Sequence, residues 1–460
     1  MSPTGHPDET FAGHLGVLAT FAVDAIGSPL PSQVDGFARS LLLDTLGALI
    51  GGTRYPQVQA MREHLGPGDL TRSEPSFPAL LRLGAASTWL DADSGGSFHP
   101  QGHRLPPVPT AHPAPHVLPS LLQGAAGGLT DDDLVRIFAI ATEVGLRFGT
   151  TTSLRPGLHP HGLHGPVAAA VATSLVRGHP APVTAAAMAQ ALSLPVAARL
   201  WQPMEGGTVR NAWTGLGAYY GARAAAEAPN RALRADDALL ALRAAVTDDA
   251  DLTALSDGLG TRWVFLDSYL KPYACARWVH PALDALTASV EARRKASHPA
   301  SGASIERIEV DTFAYAASLS ALNVRSDMHA RFSLPVCLAT LALDGELHAA
   351  GFLPNRLTRP EVAALARRVV LREEASFTAA LPRERPTSVT VTWNDRERTS
   401  SHVRNARGNP DNPLTRAEVM AKFRSNVDSV LTPALTDECV ASLLAQGDSS
   451  SLASVARVLQ

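Results

Sequence analysis

A chain of 460 residues, 45% hydrophobic and 18% charged, is long enough for more than one apolar core and too apolar to remain disordered. Its formal charge of −3 and scattered basic residues give no electrostatic footprint for nucleic acid, and no run reaches the ~18–20 consecutive apolar residues that span a bilayer. Cys275, Cys337 and Cys439 lie far apart without a CxxC pair, and the first residues lack a basic stretch followed by an apolar one; the cytoplasm is the expected location.

From Phe11 to about Ala228 the spacing of apolar residues predicts helices, among them 34–52 (VDGFARSLLLDTLGALIGG), which ends on a Gly-Gly stop. Two breaks interrupt them. Residues 94–116 are too rich in proline for a regular element, and 155–166 (RPGLHPHGLHGP) form a shorter break before an alanine-rich helix. Further helices are expected at about 183–199, 214–228, 236–246 and 278–295. Beyond Lys271 the segments 305–313, 367–373 and 387–393 alternate like half-buried strands, with helices at 330–343 and 360–366 between them. A polar stretch (404–415) leads to Thr415 and Glu418 at capping-box spacing, and the last 45 or so residues are helical again. The expected fold is mostly α: a large helical domain of residues 1–268, completed by 409–460, and a smaller α+β lid domain of 269–408.

Sixteen histidines are unevenly spread. His99, His103, His112 and His116 fall in the first break, and His159, His161 and His164 in the second. A single His-Pro in a loop is ordinary; seven imidazoles in two scaffold-held loops suit proton transfer near neutral pH. A metal reading would take His159, His161 and His164 with oxygens from Asp91 and Asp93, but the spacing matches no helical ligand motif, and no metal is expected. There is no nucleophile elbow, no P-loop and no dinucleotide fingerprint, so no cofactor is expected either. Lys271 precedes a proline and lies on an extended or turning segment, where it offers a compact charge to a carboxylate. His280 and Asp284 stand four apart on the following helix, placed to interact.

Six blocks taken in order resemble the MmgE/PrpD family, which includes 2-methylcitrate dehydratase, cis-aconitate decarboxylase and iminodisuccinate epimerase. They are LLLDTLGALIGG, WLDADSGG followed by AHPAPHVLPSLL, GLHPHGLHGPVAAAVA, LKPYACARWVHPALDAL, ARFSLPVCLATLALDG and NPLTRAEVMAKFRSN. The resemblance implies the helical and lid domains, a homodimer, a small-molecule substrate and no obligatory cofactor. By position, Asp91 matches the family's acidic loop, His112 its His-Pro histidine, His159 its second-loop histidine, and Lys271 its KPY lysine. Tyr315 corresponds to a tyrosine ahead of the ARFS block.

The chain departs from the family's pattern in three places. Its acidic loop reads Asp91-Ala92-Asp93-Ser94-Gly95, where the family usually has a third carboxylate and a hydroxyl. An insertion delays His112. Arg210 and Trp213 stand where a lysine and a histidine are usual, which points to a less charged or more aromatic ligand. The expected chemistry is proton abstraction beside a carboxylate or carbonyl with β-elimination. His112 and His159 would share acid/base work, and Asp91 would orient one of them. Lys271 and Arg210 would hold the anionic groups of the substrate, with Trp213, Tyr315, Asp93 and His161 lining the site. Decarboxylation, epimerisation or cyclisation in the same pocket, and an inactive binding protein, stay open as alternatives.

Overall fold

Alanine and glycine at helix contacts let backbones approach closely, and this sets the first half of the fold. The computed structural model describes residues 10–96, 111–195, 199–230, 235–447 and 449–460. Among the described residues that half is built of the α-helices α1 (Phe11–Ile26), α2 (Ser32–Gly52), α3 (Pro56–Leu65), α4 (Phe77–Trp89), α5 (Ala114–Ala126), α6 (Asp131–Thr151), α7 (Gly165–Val176), α8 (Ala181–Leu192), α9 (Val209–Glu227) and α10 (Ala235–Ala245). Helix α9 is wedged against α4 and α7. A Cβ on Gly215 would stand 2.2 Å from the Leu81 carbonyl, and one on Gly221 would stand 2.2 Å from that of Pro166. Any side chain there would force the helices apart and shift Arg210, in the first turn of α9.

Four short strands tie loops together: β1 (Gly95–Gly96) pairs with β4 (Ser268–Tyr269), and β2 (Thr152–Leu154) with β3 (Thr247–Ala250), both antiparallel. The first pair brings the acidic loop beside the approach to Lys271. Strands β5 (Ile305–Thr312), β6 (Val369–Glu373), β7 (Thr387–Trp393) and β8 (Arg398–Val403) form one sheet in the order β6-β5-β7-β8. Only β5 and β6 are parallel. Burial alternates along β7, and its inner residues Val389, Val391 and Trp393 share a core with Ile308 and Val310 of β5 and Leu283 and Leu286 of the helix His280–Lys295.

The apolar interior falls into two clusters. One joins these helices to Phe423, Val427, Cys439, Leu443, Leu452 and Val455 of the C-terminal helices; the other surrounds the four-stranded sheet. With 60% helix and 10% strand the protein is mostly α. Among the described residues no helix is long and apolar enough to cross a membrane.

Several boundaries differ from expectation. The helix read as 183–199 ends at Leu192, and 330–343 is two helices, Asp327–Arg331 and Leu334–Asp344, because Ser333 turns to cap the second by accepting from the Val336 amide at 3.2 Å. His116 is not in a loop: Pro113 and Pro115 start α5, and His116 lies inside it. His99 and His103 lie outside the described residues.

Candidate active site

The acidic loop leaves α4 in an unusual conformation. Asp91 has φ +49°, a left-handed geometry that costs a non-glycine residue about 1–3 kcal/mol and persists only where surroundings enforce it. Those surroundings are two buried cations. Arg331 donates to the Leu90 carbonyl (2.9 Å) and the Ala274 carbonyl (2.7 Å), tying the acidic loop to the segment after Lys271. From the C-terminal helix Arg416–Val427, Lys422 donates to the Ala92 carbonyl (3.0 Å) and pairs with Asp44 (2.7 Å).

So held, the loop turns both carboxylates inward. Asp91 Oδ1 meets Arg210 at 2.8 Å and Lys271 at 3.0 Å, and Lys271 also donates to the Asp91 carbonyl at 2.8 Å. Asp93 Oδ1 takes the other Arg210 nitrogen at 3.0 Å, while Oδ2 lies 3.2 Å from His112 Nδ1 and 3.4 Å from His161 Nε2. Burial opposes ionisation of Asp93, but the charges of Lys271 and Arg210, with the His112 hydrogen bond, hold its carboxyl well below the usual range. The same two carboxylates raise the pKa of Lys271 and of Arg210 against the effect of burial. Two cations and two carboxylates thus form one neutralised, buried cluster.

The imidazoles differ in their hydrogen bonds. His112 Nδ1 lies 2.8 Å from the Ser94 carbonyl, which can only accept. Its proton therefore sits on Nδ1, and Nε2 of the neutral ring is a lone pair. His159 has the opposite arrangement, because its Nδ1 accepts from the His161 backbone amide at 3.1 Å and the proton of the neutral ring is left on Nε2. Burial and the neighbouring Arg210 push the His159 pKa well below the usual histidine value, keeping it neutral. The two rings are 6.5 Å apart, and His161 lies against both, at 4.2 Å from His112 and 4.8 Å from His159. Gly95 admits this arrangement: a Cβ there would come within 2.6 Å of the His112 ring. His116 (to the His112 carbonyl, 3.1 Å) and His164 (to Thr152 Oγ1, 2.9 Å) are buried supports whose pKa values burial lowers to about 4.

Asp91, His112, His159, His161, Arg210 and Lys271 all border one cavity of about 680 Å³. Its far wall comes from the sheet half, where Tyr315 stacks on Trp278 at 4.8 Å. This arrangement is shared by residues of both halves of the chain, as two family models are. The MmgE/PrpD N-terminal domain matches residues 16–272 and the MmgE/PrpD C-terminal domain residues 273–446. The chain belongs to the MmgE/PrpD family. Members are generally lyases or related enzymes and include dehydratases such as 2-methylcitrate dehydratase. A search of curated proteins gave no match.

Within this MmgE/PrpD chain four expectations need correction. Asp93, not Asp91, is the carboxylate at His112, because Asp91 is turned toward Lys271 and Arg210. Lys271 and Arg210 are not free to attract an anion, since each already faces a carboxylate. Trp213 is buried behind His159, 5.8 Å from its ring, and does not line the cavity. His280 and Asp284 do not pair: His280 Nε2 bonds the Cys275 carbonyl (3.1 Å), while Asp284 accepts from the Tyr273 hydroxyl (2.7 Å) and the Arg407 amide (2.7 Å).

The metal set drawn from His159, His161 and His164 does not assemble, because His164 turns to Thr152. Asp93, His112 and His161 instead present ligand atoms within 4.8 Å of one another. They suit a cation poorly. His112 Nδ1 carries a proton for Ser94, Asp93 is already shared with Arg210, and an ion there would stand beside two fixed positive charges.

Sequence reasoning missed Arg277, Arg385 and Tyr269, which also line the cavity. Arg277 sits in the KPY block, six residues after Lys271, and that proximity was a usable signal. Arg385 lies on a loop between β6 and β7 with no local pattern to mark it.

Proposed function

We propose that this chain is a lyase of the dehydratase type, which removes a proton next to a carboxylate or carbonyl and expels a β-group. The observation that carries this reading is the opposite tautomers of His112 and His159 on one cavity: one ring offers a lone pair, the other a proton. Elimination needs a base for the C–H and a hydrogen-bond donor that polarises the leaving group.

His112 Nε2 takes the proton. Asp93 beside Nδ1 stabilises the imidazolium that forms, as a carboxylate does for any histidine base. His159, kept neutral by its depressed pKa, hydrogen-bonds the departing hydroxyl through Nε2–H, and the proton that leaves with it as water is the one His112 took, so both rings end as they began. The N–H groups of Arg210 and Lys271, held in place by their carboxylates, border the cavity and can hydrogen-bond the substrate oxygen as charge develops on it without reorganising. Both proton transfers use side chains of the chain, so the proposed reaction requires neither metal nor cofactor. A homodimer and a lid role for the sheet half belong to the same proposal on the strength of the family resemblance, and a cytoplasmic setting on that of the sparse, unpaired cysteines.

The test is to incubate the enzyme with small β-hydroxycarboxylates, 2-methylcitrate among them, in D2O. Conjugated product is followed by ultraviolet absorbance and α-deuteration by NMR. His159→Ala should stop product formation while changing stability by no more than about 1–2 kcal/mol. Full activity in that variant would remove His159 from the mechanism. Loss of a carboxylate as CO2, without α-deuteration of recovered substrate, would replace dehydration by decarboxylation.

A further inference from the structure

Five cations border the cavity, and they differ in what neutralises them. Arg155 is spent on Asp248 (2.9 Å) and on the carbonyls of Ala244 and Arg243 (2.8 Å each). Arg210 and Lys271 are matched by Asp91 and Asp93. Arg277 and Arg385 are different: neither makes an ion pair with a carboxylate among the described residues. Arg277 donates to the Asn409 side chain and lies flat over the Tyr269 ring, 3.3 Å from its centroid. Arg385 is only 7% exposed, and its Nε finds no partner. The insertion at 97–110 contains no aspartate or glutamate to serve either of them.

A buried charge is normally paired, because leaving water without a counter-ion is costly. Here the buried Arg385 and the half-buried Arg277 share that cost. Burial and the neighbouring Arg385 together press the pKa of Arg277 well below its ordinary value, and burial does the same to Arg385. Arginine does not give up its proton in response, so the strain is relieved when an anion arrives.

We infer that Arg277 and Arg385 form the subsite for a substrate carboxylate, and that Lys271 and Arg210 do not. Planar forked donors suit a carboxylate, which they can grip through paired hydrogen bonds. Tyr269 links this subsite to the reacting end: its ring carries Arg277 on one face and stands 6.2 Å from the His112 ring, nearly perpendicular to it. A carboxylate on the arginines therefore directs the rest of the molecule across the phenol toward His112. The remaining wall is apolar, with Trp278, Tyr315, Leu200, Met204 and Phe332. A cavity of about 680 Å³ falls in the ~300–1,000 Å³ range that holds drug-sized ligands. The ligand class is thus a carboxylic acid with an apolar or planar body.

This inference takes the cavity as the substrate site proposed above, but its test reads binding and not turnover, so each can fail while the other stands. The probes are trans-cinnamate and its neutral isostere cinnamamide, titrated calorimetrically into the full chain and into Arg385→Gln, Arg277→Lys and Lys271→Met. Cinnamate should bind at least tenfold tighter than cinnamamide. Arg385→Gln should abolish that preference and leave cinnamamide binding unchanged, while Arg277→Lys should keep part of it. A melting curve separates binding from architecture: relief of an unpaired buried charge leaves the ligand-free Arg385→Gln protein as stable as wild type or more so, whereas loss of a structural arginine lowers its melting temperature. Equal affinities for the acid and the amide in wild type, no saturable cinnamate binding, or a preference lost in Lys271→Met but kept in Arg385→Gln would each overturn the assignment.

Discussion

Replacing Asp93 by asparagine tests the neutralised cluster and the histidine base together. The side chain is fully buried and touches Arg210 (3.0 Å), His112 (3.2 Å) and His161 (3.4 Å). Removing its charge leaves Arg210 and Lys271 facing one carboxylate, and breaking a buried ion pair from one side typically costs ~3–5 kcal/mol. Asparagine keeps an acceptor oxygen for Arg210, so the expected loss is near the lower end, about 3 kcal/mol. His112 keeps its bond to Ser94 but loses the carboxylate that stabilises its charged form, which should lower kcat by about 10²–10⁴-fold. Urea unfolding monitored by circular dichroism gives the first quantity and steady-state turnover the second.

The pH dependence adds a signature for the same variant. A carboxyl whose folded pKa is depressed contributes stability that is present above its unfolded pKa of about 3.9 and is lost as pH falls through the folded value. The gap between wild type and Asp93→Asn should therefore be constant near neutrality and narrow only below about pH 4. A variant within about 1 kcal/mol of wild-type stability and within about twofold of its kcat would refute the account of this cluster.

Three further outcomes follow from named contacts. Gly95→Ala puts a methyl 2.6 Å from the His112 ring, so turnover should fall at least tenfold with unfolding stability changed by no more than ~1–2 kcal/mol; unchanged kinetics would mean that the ring position does not matter. His164 is held neutral with a folded pKa of about 4 against about 6.5 unfolded, so the unfolded state takes up its proton first and stability falls as pH drops through that window; His164→Gln should flatten the melting temperature between pH 7 and pH 5 relative to wild type. Enzyme dialysed against EDTA should keep its rate, and a loss restored by a divalent ion would instead put a metal on Asp93, His112 and His161.

Much of the scaffold could be read from residue spacing because burial writes a period into it. The 34–52 helix, the 278–295 helix and the strands β5 and β7 were legible for that reason, while β6 was legible from its apolar-polar sequence and the Thr415–Glu418 capping box from its spacing. Strand β8 carried no such mark: its residues Arg398–Val403 are polar, and it pairs on one side only, at the edge of the sheet. The loop histidines pointed to the right region, but their roles depend on partners distant in sequence. Nothing near Asp91 says that it will turn to Lys271, 180 residues on, while Asp93 takes His112. Arg385 was silent for the same reason. Its meaning lies in the carboxylate it lacks, and that absence becomes visible only when the chain is folded.

The central claim, a base and a hydrogen-bond donor made from two histidines of opposite tautomer, can be measured without a substrate. Nitrogen-15 NMR of histidine-labelled protein near pH 7.5, with signals assigned through His112→Gln and His159→Gln, reports which ring nitrogen carries the proton. The account predicts a proton on Nδ1 of His112 and on Nε2 of His159, with His159 uncharged. The same tautomer at both positions, or a charged His159, would contradict it.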